Sequence, residues 1–387
     1  TMTGSVAGVG TWVVTAIPST ETNPLTLVSV AKLANASGDA TVTATIFPQS
    51  FADYVVLVGS NTSDYSIGAD ATFSGKVRAN ANIRNDGVIQ GLAEAGKSCL
   101  TGSGGAPSSS FQTAHYPGGI KNNAKLVDFS QLSNNWADLK SYATAAGTYY
   151  PKASTIQAGA LGYKITMNGG SVNIDIVTAG PNTNIPRTGT GAPTTPDPPL
   201  GTLTFKSPQY VTSKAIPSKG VFFFDDTVWV AGNYGANITI MTNGTMYCAD
   251  NVTPSNSAAN YTCGLASVTN MLFPFWYTTM PDQQTVQAAT LCRDGGIGPD
   301  DGGGLTFYKQ TYNTTSKTWS GWISTSYTPA LKGKITLKGA RAMNNMIGFS
   351  NGYDIRQFDM DPNLATNPPP KYPTIPGGLH VETWNEK

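Results

Sequence analysis

The chain has 387 residues, of which 12% are charged, with a formal net charge of +1, 42 glycines and 25 prolines. That length buries one large core or two ordinary ones, and near-neutrality excludes a global footprint for nucleic acid or anionic membrane while leaving room for a local basic patch. Two histidines, His115 and His380, leave little material for His-based catalysis or zinc, and the Gly-, Pro-, Tyr- and Thr-rich profile is that of a turn-rich, all-β extracellular protein.

In chain order, "GTWVVTAI" (10–17), "LTLVSVAKL" (25–33) and "ATVTATIF" (40–47) are β-branched and alternate in polarity, which predicts a meander of antiparallel strands. "FADYVVLVG" (51–59) adds an apolar strand, and the first domain is set at 1–64. From 65 the strands become short and are punctuated by Gly, Asn and Asp, as in "ATFSGKVRANANIRNDGVIQGL", and the habit returns in "GVFFFDDTVWVAG", "ANITIMTNG" and "GKITLKGA". Strands of this length, each turning on a residue tolerant of positive φ, predict a β-solenoid over 65–350, with a β-sandwich as the alternative.

Within that span, "DFSQLSNNWADLKSYATAAG" (128–147) spaces Phe129, Leu132, Trp136, Leu139 and Tyr142 by three and four. Asp128 with Gln131 makes a capping box and Gly147 a stop, so one helix is expected near 128–146, capping an end of the solenoid. The stretch 180–201 is a Pro/Thr/Gly loop. At 351–387 an aromatic strand (Tyr353, Ile355, Phe358) runs into Asp361-Pro362 and the prolines 368–373. The prolines can donate nothing to a central sheet, so they predict an extended return strap that brings a last strand back to the first sheet.

Cys99, Cys248, Cys263 and Cys292 contain no C-x-x-C spacing, which argues against a zinc ribbon or a thioredoxin motif. An even count in a secreted-type composition suggests two disulfides, with Cys248–Cys263 the first choice and Cys99–Cys292 the remainder. Three connectivities are open, and buried free thiols are the alternative. No run is long and apolar enough to be expected to span a bilayer, and the first residues do not read as a signal peptide.

From Ile216, "IPSKGVFFFDDTVWVAGNYGANITIMTNGTMYCADNV", then "CGLASVTNMLFPFWY" (263–277), "TVQAATLCRDGGI" (285–297) and the block "NGYDIRQFDMDPNLATNPPPKYP" with Trp384 carry a resemblance. As an ordered set they resemble the type IV pilus-associated, PilX-like accessory proteins, and in architecture the large competence minor pilins. Gly352-Tyr353, Asp361-Pro362, Leu364, Pro369-Pro370 and Pro373 match the terminal block, while Met360 stands where an aromatic is usual. The resemblance implies a β-solenoid mounted on a pilin-type antiparallel sheet, and a cell-surface location at or near a pilus tip among other type IV pilins. It also implies a membrane helix upstream of Thr1 and, as ligand, DNA taken up during transformation.

DNA contact requires cations on one face. The candidates are Lys76, Arg78 and Arg84 in the first short strands, and the dense segment Lys332, Lys334, Lys338 and Arg341, of which 332, 334 and 338 share a strand face. Lys121, Lys125 and Lys140 are weaker candidates, and solvated faces are the bland alternative for each. Asp294, Asp300 and Asp301 in "DGGIGPDDGGG" are weak calcium candidates whose spacing fits neither an EF-hand nor the nine-residue repeat. A β-helix enzyme acting on polysaccharide would need paired carboxylates, for which Asp225, Asp226, Asp300 and Asp301 are available, with Trp276, Tyr277, Trp319 and Trp322 for sugar, but no motif ties them to catalysis. Sequons at Asn61, Asn237, Asn243, Asn251, Asn260 and Asn313 reflect Asn/Thr-rich turns. The expectation is a non-enzymatic minor pilin or accessory protein without cofactor that binds DNA. The alternative is a tip adhesin or assembly factor that binds surfaces, glycans or other minor pilins.

Overall fold

Alternating Thr and Val in the first fifty residues produce a sheet before anything else. A computed structural model describes residues 1–178, 187–190, 209–274, 281–299, 307–313, 318–319, 323–325, 332–346 and 353–386, apart from positions 8, 18–24, 35–38, 70 and 219. Strand outweighs helix by 52% to 12%, so the fold is mostly β with few helices. The chain divides into two units, Thr1–Ser50 with Thr374–Lys387, and Phe51–Pro373.

The first unit is a five-stranded antiparallel sheet in the order Met2–Val6, Gly10–Ile17, Leu25–Leu33, Asp39–Ser50, Thr374–Glu386. The last strand enters beside the fourth, with Thr374 opposite Ser50 and Glu386 opposite Val42. Everything between Ser50 and Thr374 is therefore an insertion between two neighbouring strands of this sheet. The strand Tyr54–Val58, which the sequence places in the first domain, pairs in parallel with Lys76–Ala79 and belongs to the second unit.

That second unit is built on parallel ladders. In one of them Tyr149–Tyr150, Val221–Phe224, Ile238–Thr242, Cys263–Ser267, Gln283–Cys292 and Lys332–Met343 follow one another. The ladder then continues through Tyr54–Val58, Lys76–Ala79, Ala93–Ala95 and Ile120–Lys121. Its middle thus joins the last long strand to the first strand of the unit, Ala342 against Leu57. A second ladder runs Gly162–Gly169, Val228–Tyr234, Met246–Pro254, Met271–Phe273, Ile297–Pro299. A third runs from Met246–Pro254 through Gln283–Cys292 and Lys332–Met343 to Tyr353–Asp359.

Side chains alternate about these strands. Phe222, Phe224, Ile240, Leu265, Val286, Ile335 and Leu337 enter one continuous core. Tyr150 stacks on Phe224 at 4.8 Å within it. The asparagine content has a direct use, since Asn side-chain carbonyls accept backbone N–H groups from a neighbouring strand's start. Asn82 takes Ser98, Asn237 takes Thr262, Asn251 takes Thr285 and Asn270 takes Gly296, all at 2.7–3.1 Å. Corners are equally tight. A Cβ on Gly91 would lie 2.4 Å from the Gly75 carbonyl carbon, so Gly91→Ala is expected to cost about 1–3 kcal/mol by overpacking against backbone. Urea unfolding of the two proteins checks it, and an unchanged midpoint would show that the corner has slack.

The expected helix is present as a short 3-10 turn, Phe129–Gln131, leading into Leu132–Ala145. Asp128 caps it by accepting the Ser130 N–H (2.9 Å), and Gly147 follows with φ +67°. Its place differs from the expected end cap. Phe129 sits on Gly59 just after the Tyr54–Val58 strand, Trp136 lies over Arg293 beyond the Gln283–Cys292 strand, and Lys140 bonds Asp225 at the end of Val221–Phe224. The helix therefore crosses the strands along the flank of the first ladder. Fourteen helical residues reach about 21 Å. Five ladder steps from Tyr54–Val58 to Val221–Phe224 need about 24 Å. The two lengths are comparable, so the element can span this flank of the ladder. Covering also explains why Leu57, Phe223, Met241, Ala266, Leu291 and Ala342 are buried although they point away from the main core.

The end at Cys99–Thr101 and Val88–Ile89 is met instead by the helix Ser109–His115 and Tyr116. The Tyr116 hydroxyl donates to the Leu100 carbonyl at 2.7 Å, and His115 Nδ1 meets the Gly87 carbonyl at 2.7 Å. At the other end the parallel pattern gives way to antiparallel pairs, Gly162–Gly169 with Ser171–Val177 and the latter with Gln209–Ala215.

The proline strap begins with a single helical turn, Asn363–Thr366, ahead of the proline run. Pro369 and Tyr372 then seat on Gly264, where a Cβ would come within 3.0 Å and 2.6 Å of them, and the Pro370 carbonyl accepts the Thr239 hydroxyl at 2.6 Å. Tyr372 is buried, and Pro373 accepts the Phe51 N–H, so the strap ends where the unit began.

Candidate functional site

Cations alternating with apolar residues on one strand are expected to line one face, and Lys332–Met343 does this in its first half. Ile335 and Leu337 are buried, while Lys334, Thr336 and Lys338 between them are half-buried on the outer side. Lys332 opens the strand opposite Tyr353. The neighbouring strands place Gln283 and Ile355 beside Lys334, and Gln287 and Asp359 beside Lys338. Ile355 is exposed, and Asp359 accepts the Gln357 amide at 2.5 Å. Among the described residues neither Lys334 nor Lys338 has an ion pair, and Lys76, opposite Tyr54, is exposed as well.

The other basic candidates are not brought to this face. Arg78 is 8% exposed and reaches the Tyr54 hydroxyl (3.1 Å), the Lys125 carbonyl and Glu94 (3.7 Å). Glu94 also accepts the Tyr54 hydroxyl at 2.6 Å and Lys121 at 3.0 Å. Burial opposes ionisation of Glu94, but the bonds from Tyr54 and Lys121 and the Arg78 charge outweigh it and hold its carboxyl below the usual range. Arg84 is tied to Asp64 at 2.6 Å. Arg341 is 5% exposed, with its guanidinium 3.8 Å over the Phe358 ring, and burial lowers its pKa against the opposing pull of Tyr65. Arg78 and Arg341 are thus structural cations because a second layer of chain covers them.

The four cysteines correct the disulfide expectation, for all are buried thiols without a bridge. Cys248, Cys263 and Cys292 occupy inward positions of three separate strands, where they pack as small apolar side chains. Burial raises every one of these pKa values, that of Cys99 to about 11 and that of Cys292 to about 12, so none is an activated thiolate.

Asp294 is paired with Arg293 at 2.6 Å, while Asp300 and Asp301 lie outside the described residues. Among the described residues no group of three or more His, Cys, Asp or Glu is placed to hold a metal ion. Of the carboxylates considered for catalysis, Asp225 and Asp226 are described, and both are bonded within the fold. Asp225 accepts Lys140 (2.6 Å), Tyr149 (2.5 Å) and Asn243. Burial raises the Asp225 pKa, but those bonds more than offset it and hold it low. Asp226 accepts the Ala153 and Thr227 N–H groups. Trp276, Tyr277 and Trp322 lie outside the described residues, and of Trp319 only the strand Thr318–Trp319 is described.

One feature of this face was not visible in the chain. Register places Asn168 beside Asn233, Asn233 beside Thr253, Gln287 beside Lys338 and Lys338 beside Asp359, and the pair Val252–Val286 sets Thr253 next to Gln287. A polar row therefore crosses six strands. Its members are 191 positions apart in sequence (359 − 168), and only the shared alternation of each strand hinted at an outward side.

No family model and no curated protein matches the chain. Among solved structures, the competence-associated pilin ComZ from Thermus thermophilus aligns over 98% of this chain and 84% of its own, with 11% identity and a TM-score of 0.32. A likeness of that size carries no argument about function. No helix among the described residues is long and apolar enough to cross a membrane.

Proposed function

We propose that the chain is a non-enzymatic extracellular accessory protein of a type IV pilus, a large minor pilin whose sheet carries an inserted β-solenoid head that contacts DNA. The observation that carries this reading is the insertion itself. Ser50 and Thr374 are partners in one antiparallel sheet, and all of 51–373 leaves and re-enters between them. A sheet so built accepts a head of any size without losing a strand pairing. The parallel ladders, with their stacked turns, support the solenoid form of that head. A head of more than three hundred residues obstructs packing within a shaft, which favours a place at the tip among other pilins.

The DNA contact rests on Lys332, Lys334 and Lys338 at alternate positions of one strand, with Lys76 on the same unit. The full chain is expected to retard duplex DNA at low salt and to release it steeply as salt rises, and Lys334→Glu with Lys338→Glu should weaken binding more than about tenfold. Absence of any shift at low salt sinks the DNA reading. A second reading, an adhesin, is favoured by the polar row that crosses the same face.

A further inference from the structure

We infer that the row Asn168, Asn233, Thr253, Gln287, Lys338 and Asp359 is a binding site for an extended neutral polysaccharide lying across the strands. The inference rests on the solenoid reading of the head and not on DNA as its ligand. Three observations carry it.

The first is spacing. Adjacent members stand one ladder step apart, about 4.8 Å, so the row spans about 24 Å. An extended β-1,4-linked glycan advances by a comparable distance per sugar, with alternate sugars turned over, so about five sugars would span the row.

The second is hydrogen-bonding capacity. Asn168 and Asn233 are exposed and the other four are half-buried. Asn233 Nδ2 donates to Thr253 Oγ1 at 2.6 Å, and Gln287 Nε2 donates to Asp361 at 2.8 Å, which fixes both side chains. Each keeps its amide carbonyl as an acceptor, and the Asn168 amide bonds no described residue. Hydroxyl-rich ligands need alternating donors and acceptors held in place, and the buried residues behind the row (Met167, Val252, Val286, Leu337) keep the strands rigid beneath it.

The third is charge. Lys338 and Asp359 are neighbours of opposite sign and the remaining four members are neutral. The six members of the row therefore carry no net charge. A neutral polymer has no charge to desolvate on it.

The test is retention of the full chain on microcrystalline cellulose, a neutral β-1,4-glucan, in low and high salt, with soluble cellohexaose as competitor. Retention that persists in high salt, yields to cellohexaose and falls about tenfold in the Asn168→Ala/Asn233→Ala variant supports the site, the size expected for losing two neutral hydrogen bonds. An unchanged melting temperature shows that this variant is folded, and Asp138→Ala, exposed on the Leu132–Ala145 helix and outside the row, should leave retention intact. No retention of the native chain overturns the inference. So does retention that ignores the double substitution, or that cellohexaose fails to displace. Retention that vanishes in high salt and is displaced by DNA assigns the face to a polyanion instead. A DNA-retardation assay of Lys334→Glu alone, which lies outside the row, reports separately on the DNA contact, so the two proposals fail independently.

Discussion

Replacing Glu94 with alanine is expected to remove roughly 3–5 kcal/mol from the stability of the 51–373 unit. Glu94 is 5% exposed and lies in register between Arg78 and Lys121 on adjacent strands. Its loss would leave the Arg78 guanidinium buried without a counter-charge and the Tyr54 hydroxyl without its acceptor. Both are penalties of an unpaired buried group, larger than the net worth of the pair itself. Urea unfolding of Glu94→Ala, Arg78→Ala and the double variant reads the coupling directly. The double variant should be less damaged than the sum of the two singles. A loss below about 1 kcal/mol for Glu94→Ala would show that water already reaches the cluster.

Truncating Trp136 to alanine is expected to cost about 3–5 kcal/mol, as for other large buried aromatics. Trp136 is 3% exposed in the Leu132–Ala145 helix, between two anchors, Phe129 of the preceding turn against Phe51 (5.1 Å) and Lys140 on Asp225. A void there unseats a strut that covers the outer side of the long ladder. Hydrogen exchange locates the damage. Amides of Tyr54–Val58 and Val221–Phe224 should lose protection together, because one helix covers both strands. Loss confined to the helix would mean that the ladder is stable without its cover.

Much of this architecture was legible locally. The alternating Thr/Val segments gave the first sheet, and the three-and-four spacing of Phe129, Leu132, Trp136 and Leu139 gave the helix with its Asp128 cap. What each face meets was not, because that is decided by residues far away in the chain. Arg78 alternates with the inward Val77 and Ala79 and so reads as a surface cation, yet the Lys125 and Val127 carbonyls from a later segment close over it and Asn80. The cysteines illustrate the same limit. Composition favours bridges, whereas register sends Cys248, Cys263 and Cys292 into the core from separate strands. Lys334 and Lys338 escape cover because the strands on either side, Gln283–Cys292 and Tyr353–Asp359, extend the same outer face. The candidate site was therefore half readable: the cations of one strand were evident, and the row formed by six strands was not.

The junction of Tyr54–Val58 with Lys332–Met343 bears on how the chain is made. A ribosome or export channel delivers residue 57 long before its partner Ala342, 285 positions later (342 − 57). Until that partner emerges, one side of Tyr54–Val58 is a bare strand edge beside a nascent, half-assembled body. Contacts of such sequence separation make folding slow, and an open edge is the template on which chains associate wrongly. A truncated product ending before 340 would carry the defect permanently. Production of this protein should therefore depend less on its final stability than on a holding chaperone that shields that edge during the delay.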